Sequence, residues 1–286
     1  MPGIAGIHPP ERGLLAPDDD HNRSRKRPEM SLPETLINAL RNPLREAGDD
    51  SPIRHATRVG GGDINQAARI ETDRGRYFVK WHTAPQPGIF ECEARGLGLL
   101  ADAGAVRVPR VIGHGSVPGS RTAFLILEWI ERAGAGKGGR AAERLGRELA
   151  LLHRKRQATY GLDHDNYIGR LPQPNRTMDS WVEFYRTQRL GAQRDQAAAQ
   201  GRLPPHRARL LDQVMESLER WIDESHCQPS LLHGDLWGGN WMVAANGEPV
   251  LIDPAVYYGD READLAMTAL FGGFPRSFYA AYAEVF

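Results

Sequence analysis

The chain has 286 residues, of which 41% are hydrophobic and 25% are charged, an ordinary globular composition. Lysine plus arginine and aspartate plus glutamate both number 36, so the formal net charge is zero and gives no electrostatic footprint for nucleic acid or an anionic membrane. Two cysteines make neither a disulfide framework nor a metal cluster, and no apolar stretch reaches the roughly 18 residues that span a bilayer, so we expect a reduced, cytoplasmic chain.

The first 30 residues mix proline, glycine, aspartate and arginine without apolar periodicity, and they lack the charged-then-apolar order of a secretory signal. We expect residues 1–30 to be a disordered tail or an over-extended gene start, and not part of the fold. Apolar residues at helical spacing then predict a helix over residues 32–45, with Ser31 as its N-cap.

A strand-rich segment follows. Alternating side chains between turn signals predict strands at residues 53–59, 67–72, 76–81, 111–115 and 123–129, with one helix at 89–101. Beyond Ile130 the pattern is mainly helical, with helices at 141–152, 181–191 and 205–225, and the only clear β signal lies at 240–253. This predicts an α+β, bilobal plan with a β-rich N-lobe at 31–130 and a mainly helical C-lobe at 131–286, and clefts between lobes are favoured ligand sites.

One constellation in the second half carries chemistry. Asp235 and Asn240 follow His233 at the spacing of a kinase catalytic loop, in which the aspartate accepts the substrate hydroxyl's proton and the asparagine holds Mg²⁺. Asn246-Gly247 is a strong hairpin signal, and a hairpin would return Asp253 to the side of Asn240. Two hard oxygen ligands facing one site suit Mg²⁺ that holds ATP phosphates.

Each of these residues also has a structural interpretation. Asp235 and Asp253 could cap helices and Asn240 could be a turn residue. That interpretation has to explain all three residues together with the hairpin, and we therefore favour the phosphotransferase site.

The motif HGDLWGGN at 233–240, followed by LIDPAVYYGDREADLAM at 251–267, closely resembles the fructosamine kinase (ketosamine-3-kinase) family. This family is part of the protein-kinase-like group, with aminoglycoside phosphotransferases and choline kinases. The resemblance runs from about residue 32 to about 275, and its further matches are Gly61–Asn65, Phe90–Leu97, Leu127–Ile130, Asp165–Gly169 and Gln173–Asn175. It implies a protein-kinase-like fold with a small antiparallel N-lobe sheet, one helix packed on it, and a larger helical C-lobe.

The resemblance also implies a nucleotide side. The glycine run at 60–62 is not a GxGxxG or Walker pattern and is a weak signal alone; in the family it covers ATP. Lys80 would contact the α/β-phosphates with Glu93 as its ionic partner, and the backbone of the Glu128–Ile130 segment would read the adenine edge. The implied cofactor-binding residues are Gly61, Gly62, Asp63, Asn65, Lys80, Glu93, Glu128 and Ile130.

On the acceptor side, the resemblance implies phosphorylation of the O3 hydroxyl of a ketosamine, free or protein-bound, which Asp235 would deprotonate. We expect five residues to line the acceptor pocket: Trp237, Gln173, Asn175, Asp260 and Glu262. Asp264 is expected to support the catalytic loop, His153 to be a core histidine, and His233 to shape the loop.

Two other functions remain open: a kinase for another amino-alcohol, such as an aminoglycoside or choline, and a non-catalytic ATP-binding regulator. Trp237-Gly238-Gly239 and Gln173-Pro174-Asn175 argue against the first. The intact set of Lys80, Glu93, Asp235, Asn240 and Asp253 argues against the second. Family members usually continue for a few more helices beyond Gly272-Gly273-Phe274, whereas this chain stops at Phe286. We therefore expect a C-lobe that lacks part of its packing and of the acceptor-side wall.

Overall fold

A five-stranded antiparallel sheet dominates the N-terminal part of the computed structural model, which describes residues 31–60, 65–134 and 138–286. The strand order in the sheet is β1-β2-β3-β5-β4. The elements of this part are helix α1 (Glu34–Glu46), strands β1 (His55–Arg58), β2 (Gln66–Glu71) and β3 (Arg76–His82), helix α2 (Ile89–Ala103), and strands β4 (Val111–Ser116) and β5 (Ala123–Glu128). All seven were predicted from the sequence, with ends that differ by up to two residues.

The continuous apolar run of β5 arises because the sheet is covered on both faces. Successive side chains of a strand point to opposite faces. Phe124 and Ile126 pack in one core cluster with α1, whereas Leu125 and Leu127 pack in another with α2. A strand buried on both sides has no polar face, and the sequence of β5 therefore does not alternate.

Helix α1 lies on the sheet through leucines one turn apart, Leu36, Leu40 and Leu44, which are at most 1% exposed. Its N-cap is Pro33, which makes no side-chain cap bond, so the prediction of Ser31 as the cap is wrong: Ser31 lies two residues too early. Near its other end Pro43 touches β4, where a Cβ atom at Gly113 would lie 2.6 Å from the Cβ atom of Pro43.

The C-terminal part is mainly helical. Its helices are α3 (Gly138–His153), α4 (Trp181–Phe184), a π-helical segment (Tyr185–Gly191), α5 (Ala192–Ala199), α6 (Pro205–Glu216), α7 (Glu262–Phe271) and α8 (Arg276–Ala283). Helix α6 is shorter than the predicted 205–225 segment, because the Ser217 hydroxyl bonds back to the carbonyls of Gln213 and Val214 at the helix end. The chain then makes two short 3₁₀ turns, Leu218–Arg220 and Glu224–His226.

Three two-stranded ladders lie among these helices: β6 (Asn166–Ile168) with β7 (Leu171–Gln173), β8 (Ser230–Leu232) with β11 (Tyr257–Gly259), and β9 (Trp241–Val243) with β10 (Pro249–Leu251). The expectation of β structure only at 240–253 is therefore wrong. Strands of three residues are too short to show a period in the sequence, and only the β9–β10 hairpin had a turn signal.

The two parts share one core. Leu97 of α2, Leu145 of α3, Leu251 of β10 and Phe278 of α8 belong to the same buried cluster. Helices α3 and α8 approach closely at Gly146, where a Cβ atom would lie 2.2 Å from the Phe278 carbonyl oxygen. None of the described helices is both long and apolar enough to cross a membrane.

The β9–β10 hairpin joins the sheet region to the helical region. Its backbone bonds to Arg107 (Leu251 N to Arg107 O, 2.9 Å) and to Glu131 (Ala245 N to Glu131 O, 2.7 Å). The Glu248 carboxylate, at the hairpin turn, accepts from Arg107 (2.8 Å) on one side and from Arg144 of α3 (3.2 Å) on the other. Hydrogen bonds from Asn246, Arg107 and Arg144 lower the pKa of Glu248 to about 2. The hairpin is therefore fixed against both parts, and the active-site candidates lie at its open end.

Candidate active site

Asp235 and Asn240 lie in the turn between β8 and β9 and are hydrogen-bonded to each other. The Asn240 Nδ2 donates to the Asp235 carbonyl oxygen at 2.8 Å and to its Oδ2 at 3.0 Å. Burial raises the pKa of Asp235, more than the neighbouring His233 and the Asn240 bond lower it. A raised pKa makes this carboxylate a better proton acceptor than an exposed aspartate.

The hairpin returns the chain to the same point. Leu251 pairs with Trp241, and the Ile252 N–H donates to the Asn240 carbonyl at 3.0 Å, so Asp253 lies beside Asn240. Because the Asn240 Nδ2 donates both of its hydrogen bonds to Asp235, the Asn240 Oδ1 points away from Asp235. Asn240 and Asp253 thus offer an amide oxygen and a carboxylate, both hard donors.

This donor set fits Mg²⁺ bound together with phosphates. Within residues 31–60, 65–134 and 138–286 no three His, Cys, Asp or Glu side chains converge to form a metal cage. Mg²⁺ is usually held by one or two protein ligands together with substrate phosphates and waters.

Asp253 has an unusual backbone. With φ of 53°, it is the sole non-glycine residue in the described part of the chain with a positive φ. Such a conformation costs about 1–3 kcal/mol and persists only where the surroundings enforce it. His233 holds both sides of Asp253: its Nε2 donates to the Ile252 carbonyl (3.0 Å), and its own carbonyl accepts from Ala255 N–H (2.9 Å).

Lys80 of β3 reaches Asp253 from the sheet side. Its Nζ lies 2.5 Å from the Glu93 Oε1 of α2 and 2.6 Å from the Asp253 Oδ1. Burial by itself lowers the pKa of Lys80, but the Asp253 and Glu93 carboxylates outweigh it and raise the pKa above its usual range. The charge of Lys80 in turn lowers the pKa of Asp253. A buried ammonium and an ionised carboxylate therefore meet where the sheet and the helical region face each other.

Asp264 of α7 holds the start of the predicted catalytic loop, residues 233–240. Its carboxylate accepts from the backbone N–H groups of His233 (2.8 Å) and Gly234 (2.9 Å), and it bonds to His153 Nε2 at 3.2 Å. The other ring nitrogen of His153 bonds to the Tyr282 hydroxyl at 2.8 Å. Asp264 and His153 are 1% and 0% exposed, so the geometry agrees with supporting and core roles for them.

In Trp237-Gly238-Gly239, a side chain is excluded at each of the two glycines for a different steric reason. A Cβ atom at Gly239 would lie 2.2 Å from the Trp237 indole, which folds across it. Gly238 faces the link between α7 and α8, where a Cβ atom at Gly273 would lie 2.7 Å from the Gly238 Cα atom. No sequence pattern predicted the contact between these two segments, although a Gly-Gly pair between two helices is a signal for close backbone contact.

The five residues expected in the acceptor pocket do not come together. Trp237 lies in the catalytic loop and is 44% exposed. Gln173 and Asn175 are buried, at 3% and 0% exposed, and their amides bond to other protein groups.

Asp260 and Glu262 lie away from the catalytic loop. Asp260 follows Gly259, which pairs with Ser230 at the end of β8 remote from Asp235, and its carboxylate accepts from Gln228 N–H (3.3 Å) and Glu262 N–H (3.0 Å). Glu262 is exposed and pairs with Arg261 at 3.5 Å.

Of the expected nucleotide-binding residues, Gly61, Gly62 and Asp63 lie outside the described residues, and Asn65 directly precedes β2. Glu128 ends β5, where its N–H donates to the Arg110 carbonyl (2.9 Å) and its carboxylate contacts Arg107 (3.3 Å). Ile130 follows the strand, and its N–H and C=O have no backbone partner within the described part of the chain. Backbone groups without a backbone partner are of the kind that can bond to a nucleobase edge.

Comparison with known proteins gives a consistent set of relatives. The family model described as fructosamine kinase matches residues 37–286. A protein named as a probable ketoamine kinase of Synechocystis sp. is 42% identical over 241 residues, which cover 83% of this chain and 78% of that protein. The chloroplastic protein-ribulosamine 3-kinase of Arabidopsis thaliana is 39% identical over 254 residues, 85% of this chain and 75% of that protein.

Solved structures agree on the fold. A crystal structure from Haemophilus somnus, of a protein assigned as a fructosamine-3-kinase, superposes with a TM-score of 0.78 at 28% identity and covers 88% of this chain and 84% of that one. An aminoglycoside phosphotransferase, solved in complex with ADP and hygromycin B, shares the fold with a TM-score of 0.58 at 12% identity, covering 86% of this chain and 80% of that one.

Proposed function

Because this chain belongs to the fructosamine kinase family, we propose that it is an ATP-dependent kinase that phosphorylates the O3 hydroxyl of ketosamines of the fructosamine or ribulosamine type. The acceptor is a free glycated amine or a glycated protein lysine. A 3-phosphate eases elimination of the sugar, which regenerates the amine, so the biological consequence is deglycation. A cytoplasmic setting, in which ATP is available and Cys92 and Cys227 stay reduced, is part of this proposal.

One observation carries the proposal on the structural side. Lys80 of the sheet meets Asp253 at 2.6 Å, and Asp253 lies beside Asn240, which is bonded to Asp235. Phosphoryl transfer needs a cation at the phosphates, ligands for a divalent metal and a group that orients the attacking hydroxyl. These four side chains supply those parts, and the names of the relatives supply the acceptor class.

Each residue has one task in this mechanism. Asp235 bonds to the O3 hydroxyl, orients it towards the γ-phosphorus and accepts its proton as the new O–P bond forms and the bond to ADP breaks. Lys80 holds the α- and β-phosphate oxygens, and Glu93 keeps Lys80 in place. Asn240 and Asp253 would hold Mg²⁺, which offsets charge on the phosphates when it is bound.

On the family resemblance, Gly61, Gly62, Asp63 and Asn65 would contact the phosphates of the nucleotide, and the backbone at Ile130 would contact its adenine edge. Trp237 is the acceptor-side residue that we retain, because it is half-exposed beside Asp235. The remoteness of Asp260 and Glu262 from Asp235 supports a structural role for both.

The test is ATP turnover with synthetic ribulosamine and fructosamine acceptors. The wild-type chain is expected to consume ATP only with a ketosamine present, and Asp235→Asn is expected to lose at least about 100-fold in kcat, because a general base contributes on that order or more. Asp212→Asn is a matched control, since Asp212 lies on the surface of α6 and pairs with Arg194.

Three outcomes separate the alternatives. Turnover with an aminoglycoside or choline in the absence of a ketosamine would mean that the acceptor is another amino-alcohol and not a ketosamine. Tight nucleotide binding without turnover on any acceptor would favour a non-catalytic regulator. Equal turnover in wild type and Asp235→Asn would refute the mechanism.

A further inference from the structure

A set of buried amide side chains bonds to the backbone two and three residues after Asp253. The Asn166 Oδ1 accepts from Gln173 Nε2 at 2.8 Å and from Asn175 Nδ2 at 3.0 Å. The Asn166 Nδ2 donates to the carbonyl of Val256 at 2.8 Å, and the Gln173 Nε2 also donates to the carbonyl of Ala255 at 3.1 Å. Asn166 and Gln173 are 5% and 3% exposed.

The two carbonyls belong to the segment that leaves Asp253. Pro254 has no N–H, so the chain there cannot be fixed by its own amide, and the next N–H, of Ala255, already bonds to the His233 carbonyl at 2.9 Å. The Ala255 oxygen also lies only 2.0 Å from where a Cβ atom of Gly234 would be. Ala255 is thus held by its N–H, by its carbonyl oxygen and by the close approach of Gly234, and only Pro254 separates it from Asp253.

The amide set is anchored at its far end by a partly buried cation, Arg189. The Asn175 Oδ1 accepts from Arg189 Nη2 at 2.8 Å, and the guanidinium lies 3.8 Å from the centre of the Tyr257 ring. Arg189 Nη1 donates to the Pro174 carbonyl at 2.7 Å. Asn175 and its neighbours therefore have little freedom to turn, and the orientation of Asn166 and Gln173 is set from behind.

We propose that Asn166 and Gln173 are positioning residues for Asp253: by holding the carbonyls of Ala255 and Val256 they keep Asp253 in its left-handed conformation, with its carboxylate aimed at the metal site. This inference rests on the proposed function, in which Asp253 and Asn240 bind the metal. It gives Gln173 a task behind the catalytic site instead of in the acceptor pocket. Outer groups that orient a metal ligand typically change metal affinity by about 10–100-fold when they are lost.

The test uses Gln173→Met, which keeps the volume and removes both hydrogen bonds. Mn²⁺ binding is measured by electron paramagnetic resonance in the presence of a non-hydrolysable ATP analogue, and nucleotide binding is measured separately with the metal chelated. The dissociation constant for Mn²⁺ is expected to rise about tenfold, and the metal-free nucleotide affinity is expected to stay within about twofold of wild type.

Thr72→Val is the control for a general loss of stability. The Thr72 hydroxyl donates to the Asp49 carboxylate and the Gly75 carbonyl at the turn between β2 and β3, and neither bond involves the catalytic loop. It is expected to leave Mn²⁺ affinity unchanged. If Gln173→Met does not fold, Gln173→Asn keeps an amide but shortens its reach by one methylene, and the same shift in Mn²⁺ affinity is expected.

The outcomes separate this inference from the proposed function. A wild-type chain that binds no Mn²⁺ with the nucleotide would sink the proposed metal site itself. Normal wild-type binding with unchanged Mn²⁺ affinity in Gln173→Met would overturn only the positioning role. If Gln173 instead lined the acceptor pocket, Gln173→Met would have a higher KM for the ketosamine and an unchanged affinity for Mn²⁺.

Discussion

Gly273 lies so close to Gly238 that the two backbones are in direct contact, and this contact sets the position of the catalytic loop after Asp235. A Cβ atom at Gly273 would lie 2.7 Å from the Gly238 Cα atom, and Gly273 has a φ of 93°. Backbone cannot swing aside like a flexible side chain, so a methyl group here has to displace one of the two segments.

Gly273→Ala is therefore expected to lower kcat by about tenfold or more, because a displacement near 1 Å can cost about 100-fold in rate. Gly272→Ala is a matched control: Gly272 also has a positive φ, of 73°, but nothing lies within 4 Å of its Cβ position. Both variants also lose stability, on the order of 1–3 kcal/mol each, because alanine is strained at a positive φ. Steady-state kinetics that fall equally in the two variants would show that the contact with Gly238 has no separate effect.

At this scale the sequence was informative where a motif fixed the residue. Asp235, Asn240 and Asp253 were singled out from motif spacing, Lys80 and Glu93 from the family resemblance, and the structure brings the five together. The buried amides of Gln173 and Asn175 were placed in the acceptor pocket instead. Their environment depends on Asn166, Arg189 and the Ala255 carbonyl, which lie in separate segments, and no local pattern encodes such a contact.

Among the elements, the junction that follows α1 depends on a single carboxylate. Asp49 is 3% exposed and accepts from Ser51 N–H (3.0 Å), Thr72 Oγ1 (2.5 Å) and the Tyr77 hydroxyl (2.8 Å), which ties the helix end to β2 and β3. Burial works to raise the pKa of Asp49, but the hydrogen bonds outweigh it and lower the pKa to about 2.

A folded-state pKa below the unfolded value means that the stabilisation is present above the unfolded pKa, near 4, and is lost as the pH falls towards 2. The shift corresponds to about 2 kcal/mol. The free energy of unfolding of wild type and of Asp49→Asn is measured with urea. The difference between the two is expected to become about 2 kcal/mol smaller between about pH 6 and about pH 2. A gap that stays constant with pH would contradict the role of Asp49.

Element prediction succeeded where the physical signal was long. The leucine spacing of α1 and the alternation of β3 extend over several periods, whereas β6, β7, β8 and β11 have three residues each. Their pairing is decided by tertiary contacts, such as Gly161 N–H donating to the Tyr258 carbonyl at 2.7 Å. The π-helical form of Tyr185–Gly191 was likewise absent from the prediction, because its side-chain period hardly differs from that of an α-helix over one turn.

For the whole molecule, the two parts are joined through the turn of the β9–β10 hairpin. Glu248 links Arg107, which follows α2, to Arg144 of α3. These charges are partly exposed, so each ion pair contributes less than about 1 kcal/mol and is screened by salt.

Glu248→Gln is expected to lower the free energy of unfolding by about 1 kcal/mol at low salt and by clearly less at high salt. Urea unfolding at the two ionic strengths measures this. A loss of equal size at both would mean that the side chain acts through packing or through its bond to Asn246 instead of through charge.

The fold of the whole chain followed from the sequence because two signals agreed: the change from β to helical pattern near Ile130, and the motif around Asp235. What the sequence did not give is how closely the parts are joined. The core shared by Leu97, Leu145, Leu251 and Phe278 can be seen only in three dimensions.

The contact between Gly238 and Gly273 also limits how this chain can be re-engineered. Residues 233–240 cannot be transplanted alone, because their backbone packs against a second segment more than 30 positions away in the chain. A chimera that transplants the loop into another kinase-like scaffold has to carry the glycine pair at 272–273 with it. The two stretches pack as one unit, so a change that displaces the backbone of either also displaces the other.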